Sequence, residues 1–436
     1  KQKERARNAT ANEFGDWEEF YPGESKFVGY DKTTVSDARM IKQRTVVQKN
    51  KEMLQLVFDY TPFYGEMGGE IGDTGYIESE DGERINIVNT IKDNNLTVHI
   101  AERLPKNCRG TFTIAVDEKR RQRIAANHSC THLLDQALRE ILGAHVEQKG
   151  SYVSDQSFRF DFSHFEKLTP EQIRSVEARV SELIRSNYPL EEERKATMEQ
   201  AKAMGAIALF GEKYGSKVRV VKFGPSVELC GGCHTSATGN IGMFKILSES
   251  AIAAGVRRIE AVTGEAAIAY MNSLEDTIAA LKDIIGASGN LVSGAQKLVE
   301  QNAAYKKQIE EQEAAKVKSL AADLAGKASL IGGVRVVKYT SSDLNPALVR
   351  NIALLMQKSE QNLAFIAAFA YEEKPNLVLM YTADLVAAGH NACNDVREAA
   401  RHISGGGGGQ SGMSTAGGKN TAGLPQALEV LVSKLQ

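Results

Sequence analysis

The sequence predicts a multi-domain α+β protein: a small β-barrel, a zinc-containing α+β unit, a helical coiled-coil arm and a terminal α/β globule. Three observations carry this. Short alternating apolar runs separated by turn residues fill residues 44–117. Helical spacing takes over at Lys119. Two separated signatures, His128-Ser-Cys-Thr-His132 and Cys230-Gly-Gly-Cys-His234, sit on the mixed segment that follows.

With 436 residues and 42% hydrophobic content the chain is long enough for two or three cores. Five scattered cysteines do not form a disulfide scaffold; they point to a reducing, cytoplasmic setting. A net charge of −2 gives no global nucleic-acid signal, so RNA contact must rest on local patches. The run Lys119-Arg120-Arg121-Gln122-Arg123 is such a patch, although its plainer reading is the solvated first turn of a helix. The most apolar run, residues 363–371, is too short to cross a bilayer, so no membrane association is expected. The charged start, residues 1–7, leads into no apolar core; it suggests neither a signal nor a transit peptide and is expected to begin mid-protein.

Taken in order, residues 1–41 read as a polar remnant too short for a domain. Residues 42–118 hold strand-like runs such as Leu54-Gln55-Leu56-Val57-Phe58 and Leu96-Thr97-Val98-His99-Ile100, with turns at Asp81-Gly82 and Asn94-Asn95, so a barrel is the natural closure. Within them, the glycines of residues 61–73 allow either a close backbone approach to a ligand or a bulged hairpin loop. Residues 119–272 open with a helix whose apolar face includes Ile124, His128, His132, Leu133, Ala137 and Leu138, stopped by Gly143. Thr169-Pro170-Glu171-Gln172 is a capping box with proline at the first helical position. Residues 273–328 show 4-3-4 spacing through Leu274, Ile278, Leu281 and Ile285, broken at Gly286 and Gly289. They read as a helical arm or as two ordinary amphipathic helices. Residues 329–436 alternate strand and helix, and the tract at 405–409 reads as an ordered tight-packing or ligand-approach loop.

Histidines at i and i+4 project from one face of a helix, so His128 and His132 can share a metal. Cys230 and His234 supply a second pair, giving a tetrahedral set of three imidazoles and one thiolate for one zinc ion.

Six stretches resemble motifs of the alanyl-tRNA synthetase family in family order: residues 61–73, 128–134, 158–164, 205–214, 228–234 and 254–264. The chain is similar over nearly its whole length to the C-terminal half of such enzymes, an editing domain followed by a tRNA-binding domain. The final glycine tract resembles the DHH-associated domain signature. The resemblance implies that His128, His132, Cys230 and His234 bind zinc in a pocket that deacylates seryl- and glycyl-tRNA specific for alanine. A synthetic site built for alanine cannot reject such small differences by more than ~10- to 200-fold, so a second site must read the error.

By the same resemblance, Glu70, Cys230 and Asp161 are the candidate catalytic residues. Thr61, Phe63, Gly68, Gly69, Arg159, Cys233, Arg257 and Arg258 are candidates for substrate or tRNA binding. The arginines suit phosphate oxygens, the alternative being pairing with nearby carboxylates. The terminal globule is implied to bind the tRNA elbow and to form a homodimer. The sequence departs from the family pattern at Glu70, where glutamine is usual, at Met67, where serine is usual, and at Cys233, where threonine is usual. Glu70 could accept a proton, and the Cys233 thiol could compete with Cys230 for the metal. Nothing resembles the nucleotide-binding motifs of the aminoacylation core, so ATP-dependent charging is not expected. Two other readings are a free-standing editing protein of the AlaX type and a zinc-stabilised tRNA-binding module without catalysis.

Overall fold

A computed structural model describes residues 13–48, 51–208, 215–287 and 289–436. The charged start at 1–7 and residues 209–214 of the 205–214 motif lie outside the described residues. The chain separates into two compact units, Lys1–Ala279 and Ala280–Gln436.

The first unit begins with a closed six-stranded barrel. Thr34–Gln48 pairs with Thr111–Val116, which is followed around the ring by Gly75–Ser79, Arg84–Asp93, Leu96–Ala101 and Lys51–Phe58. Lys51–Phe58 then pairs back to Thr34–Gln48 and closes the ring. Inward positions alternate as the strand period requires: Ala38, Met40, Leu56, Phe58, Ile77, Ile85, Ile87, Phe112 and Ile114 fill the interior. The barrel strand starts at Thr34, inside the segment expected to be a polar remnant. Other parts of that segment are also tied down, since Glu18–Glu19 pairs with the same strand and Lys26–Phe27 pairs with Tyr60–Thr61.

The helix Glu118–Leu142 follows. Asp117 caps its N-terminus by accepting the Arg120 amide, and Gly143, at φ 117°, ends it. It packs with the helix Pro170–Arg185, whose Thr169/Gln172 capping box forms as expected. Against them lies a four-stranded antiparallel sheet in the order Gln148–Val153, Phe158–Ser163, Val256–Thr263, Phe244–Ala253. Phe158, Phe160 and Phe162, at every second position of one strand, share a face and are buried among Leu133, Leu134, Ile246 and Ile259. A three-stranded sheet, Glu191–Ala196, Val218–Phe223 and Ser226–Leu229, carries the loop that starts at Cys230. The helix Gly264–Ile285 starts ahead of the arm expected from residue 273.

In the second unit, Leu291–Gly326 is one long helix, capped by Asn290. Val317, Ala321 and Ala325 near its end are buried with Val349, Ile352 and Met356, whereas Val292, Leu298, Val299, Tyr305 and Ile309 are exposed. A six-stranded mixed sheet follows, in which Val334–Tyr339 and Leu363–Tyr371 are parallel and the remaining pairings antiparallel. The glycine tract is ordered, but as a strand and not a loop: Gly406–Gln410 forms the sheet edge against Met413–Gly417. A Cβ at Gly405, Gly407 or Gly409 would overlap the neighbouring backbone, while Gly406 and Gly408 face open space. Among the described residues, no helix is long and apolar enough to cross a membrane.

Candidate metal centre

His128 and His132 lie in the middle of the helix Glu118–Leu142, one turn apart and buried. Cys230 leaves the strand Ser226–Leu229, and the two glycines that follow turn the chain so that His234 comes back to the same point. The donor atoms of His128, His132, Cys230 and His234 all lie within 4.8 Å of one another. The Cys230 sulfur is 3.4 Å from His128 Nε2 and 3.2 Å from His234 Nε2. Tetrahedral bonds of ~2.0–2.3 Å place such donors about 3.5 Å apart, so the set fits zinc with little movement. His132 Nδ1 is a buried nitrogen with no hydrogen-bond partner, and such an atom in a cluster of this kind suits a cation.

The remaining ring nitrogens are held from behind. The Glu70 carboxylate bonds His128 Nδ1 and accepts the Cys233 amide at 2.9 Å, while Ser129 Oγ lies 3.1 Å from His234 Nδ1. Glu228 Oε2 lies 3.6 Å from His132 Nε2. Carboxylates and hydroxyls in these positions fix the ring orientation of metal-binding histidines. Burial opposes ionisation of the Cys230 thiol, but the His128, His234 and His132 imidazoles outweigh it and hold the thiol well below its usual value. Burial pushes His234 itself down to about 3, against the pull of Cys230. In His128 the burial effect is overcome by Cys230 and Glu70, which hold it well above the ordinary imidazole value. An anionic sulfur facing imidazoles is the donor chemistry zinc takes.

Three further residues shape the ligand loop and its support. The Tyr30 hydroxyl donates to the Gly231 carbonyl at 2.5 Å. Arg219 lies 4.0 Å over the Tyr30 ring and donates to the Gly232 carbonyl at 2.7 Å and the Cys230 carbonyl at 3.2 Å. Arg121 pairs with Asp73 and donates to the carbonyls of Gly29 and Pro62, each at 2.9 Å. The middle of the basic run at 119–123 is therefore a buried clamp and not a solvated turn. Charge alone signals the run, and charge does not say which arginine turns inward.

A cavity of about 180 Å³ opens beside the donors, lined by Tyr64, Met67, Gly68, Ser151, Glu228 and Gly231 among others. Gly68 is among the residues that line it. Gly69, at φ 85°, instead packs against Ser151 and accepts the Val153 amide at 2.7 Å. Several expectations need correction. Thr61 and Phe63 do not line this cavity; both are fully buried in the barrel, Thr61 Oγ1 lying 2.7 Å from His99 Nε2. Asp161 is absent from it too, being held in a two-bond pair with Arg258 at 2.6 and 2.8 Å. Arg257 pairs with Glu249 at 2.5 Å, and Arg159 lies over Tyr152 at 5.6 Å, so two of the three expected phosphate ligands already hold carboxylates. Glu70 is 1% exposed, and its carboxylate is turned to the His128 ring. Cys233 is buried behind the loop and outside the donor set, so Cys230 is the sulfur that faces the imidazoles.

Residues 218–260 match the family model described as the threonyl and alanyl tRNA synthetase second additional domain, and residues 1–120 match that for tRNA synthetases class II (A). An alanine--tRNA ligase of Parabacteroides distasonis is 49% identical over 429 residues, 98% of this chain and 49% of the relative. One of Porphyromonas gingivalis is 45% identical over 438 residues, 100% of this chain and 50% of the relative. The chain spans about half the length of the curated relatives it matches. The crystal structure of the C-Ala domain from Aquifex aeolicus alanyl-tRNA synthetase is 23% identical, covering 25% of this chain and 96% of that one, at a TM-score of 0.23 that carries no structural argument.

Proposed function

We propose that this chain, homologous over 98% of its length to about half of an alanine--tRNA ligase, hydrolyses mischarged aminoacyl-tRNA, releasing serine or glycine from tRNA specific for alanine. The observation that carries this reading is the four-donor cluster beside a small polar cavity. At about 180 Å³ the cavity is well below the ~300–1,000 Å³ of sites for drug-sized ligands, so it suits a small acyl group.

His128, His132, Cys230 and His234 would hold one zinc ion, which when bound supplies positive charge near the ester carbonyl and fixes the pocket wall. Glu70 acts as a positioning residue, keeping His128 in one orientation through its Nδ1 bond. Thr131, Gln148 and Ser151 line the cavity and offer hydroxyl and amide groups to a water and to the substrate hydroxyl. An aminoacyl ester is already labile, so holding a water in line with its carbonyl is the main task left to these side chains.

The wider assignment follows the same homology. The barrel from Thr34 and the α+β unit that follows it would form the two editing subdomains, the helices Gly264–Ile285 and Leu291–Gly326 the arm, and residues 329–436 the tRNA-elbow-binding and dimerising globule of a cytoplasmic protein. RNA would be read there by shape and backbone.

The experiment is deacylation of seryl-tRNA for alanine by the full chain, with metal content measured by emission spectroscopy. About one zinc per chain and serine release are expected, and Cys230→Ala should lose both. Full zinc content without serine release would overturn the hydrolytic reading in favour of a non-catalytic tRNA-binding module.

A further inference from the structure

Met67 reaches the cavity beside the donors from a two-residue hairpin turn whose central residues, Gly68 and Gly69, sit at φ 62° and 85°, the left-handed region that such a turn requires. Met67 and Glu70 flank the turn and exchange backbone hydrogen bonds, the Met67 amide donating to the Glu70 carbonyl at 3.2 Å and the Glu70 amide to the Met67 carbonyl at 3.1 Å. The turn is also pinned from both sides: the Tyr64 hydroxyl donates to the Met67 carbonyl at 3.1 Å, and the Val153 amide to the Gly69 carbonyl at 2.7 Å. The backbone at residue 67 is therefore fixed, and the freedom left there is in the side-chain torsions.

Directly opposed residues of an antiparallel pair share a face. Here Glu70, 1% exposed, turns its carboxylate to His128, while Met67, 47% exposed, lies where the cavity meets solvent. The Met67 Cε sits 3.4 Å from the point that a Cβ on Gly231 would occupy, so the thioether spans from the hairpin to the ligand loop. Tyr64, Thr131, Gln148 and Ser151 bring hydroxyl and amide groups to the same cavity, whereas Met67 brings bulk and a weak acceptor. An unbranched side chain with three rotatable bonds fills a gap of irregular shape, which is the use made of it here.

Resting on the editing reading, we propose that Met67 is the specificity residue that sets the upper size of the acyl group. Its thioether closes the gap between hairpin and ligand loop over a glycyl or seryl group and meets the first carbon that a larger side chain adds. The site takes small acyl esters as a class and refuses branched or longer ones by overlap, whatever their polarity.

The test uses the full chain and two non-hydrolysable probes, 3′-serylamino-3′-deoxyadenosine and its threonyl counterpart, which keeps the hydroxyl and adds one methyl group. Binding is read by calorimetry and metal content by emission spectroscopy. The seryl amide should bind at least ~10-fold more tightly, the low end of what one added carbon is worth in a shaped pocket. Met67→Ala should bring the ratio close to one by tightening the threonyl amide, with metal content unchanged. Met67→Leu, of similar volume, should keep the ratio. Equal binding of the two probes by the unsubstituted chain, failure of both to bind, a ratio unchanged in Met67→Ala, or one lost equally in both variants overturns the proposal. Because the readout is binding, a chain that prefers the seryl amide but releases no serine keeps this size limit and loses only the hydrolytic reading, whereas one that releases serine and binds both amides equally loses only the size limit.

Discussion

Two glycine-rich stretches, residues 65–72 and 405–409, are alike in composition and serve opposite ends. In the first, Gly69 and Gly72 press against the backbone of Ser151 and Thr90, and the residue between them that matters is Glu70, delivered to His128. Glycine there aims a side chain. In the second no side chain is delivered: alternate glycines lie flat against Met413–Gly417, and Gly407 also faces Val396 of the helix Ala392–Ala400. Glycine here removes a whole face of side chains so that a helix can approach an edge strand. The lesson is that glycine density reports close approach, and the residues interspersed with it report the purpose.

The sharpest way to break this contrast is at the centre to which the first stretch points. A Cβ at Gly232 would overlap both the His128 ring and the Glu70 carboxylate. Gly232→Ala is therefore expected to lose stoichiometric zinc altogether, checked by emission spectroscopy on the purified chain, and retention of one zinc would show that the loop has slack.

Acid is the next lever. His99, which lies against Thr61 at the start of the first motif, is lowered to about 4 by burial, against the usual 6.5. Its neutral form belongs to the fold, so the stabilisation is complete above pH 6.5 and is lost as pH falls from there through about 4. The shift amounts to about 3 kcal/mol. Denaturant unfolding followed at pH 7, 5.5 and 4 should show the loss, and His99→Gln should flatten it.

The smallest effects test the second stretch. Gly407→Ala should destabilise the chain by ~1–3 kcal/mol through overpacking, whereas Gly406→Ala should be neutral or stabilising by less than ~1 kcal/mol. Equal effects in denaturant unfolding would remove the alternation.

The convergence of His128, His132, Cys230 and His234 was legible in the sequence from residue type and spacing: an i, i+4 pair shares a helix face, and a thiol and imidazole around two glycines can converge. The barrel was legible from residue 44 onward, where apolar runs are dense. It was not legible at residues 34–43, where Ala38, Met40 and Ile41 are buried among polar neighbours. That Thr61, Phe63 and Asp161 lie away from the cavity was not legible, because membership of a motif does not say which side of a strand or loop a residue faces. Tyr30, Arg219 and Glu228 could not be singled out, since their meaning comes from partners far away in the chain, such as the Gly231 carbonyl for Tyr30.

The thiol and the first imidazole of the donor set are 102 positions apart. At a synthesis rate of ~5–20 residues per second, His128 and His132 leave the ribosome about 5–20 s before the sulfur, and His234 follows it. Throughout that interval Glu70, made earlier still, is already available to His128. The full donor set therefore exists only after Cys230 and His234 have been made, about a hundred residues after the helix that holds its first half.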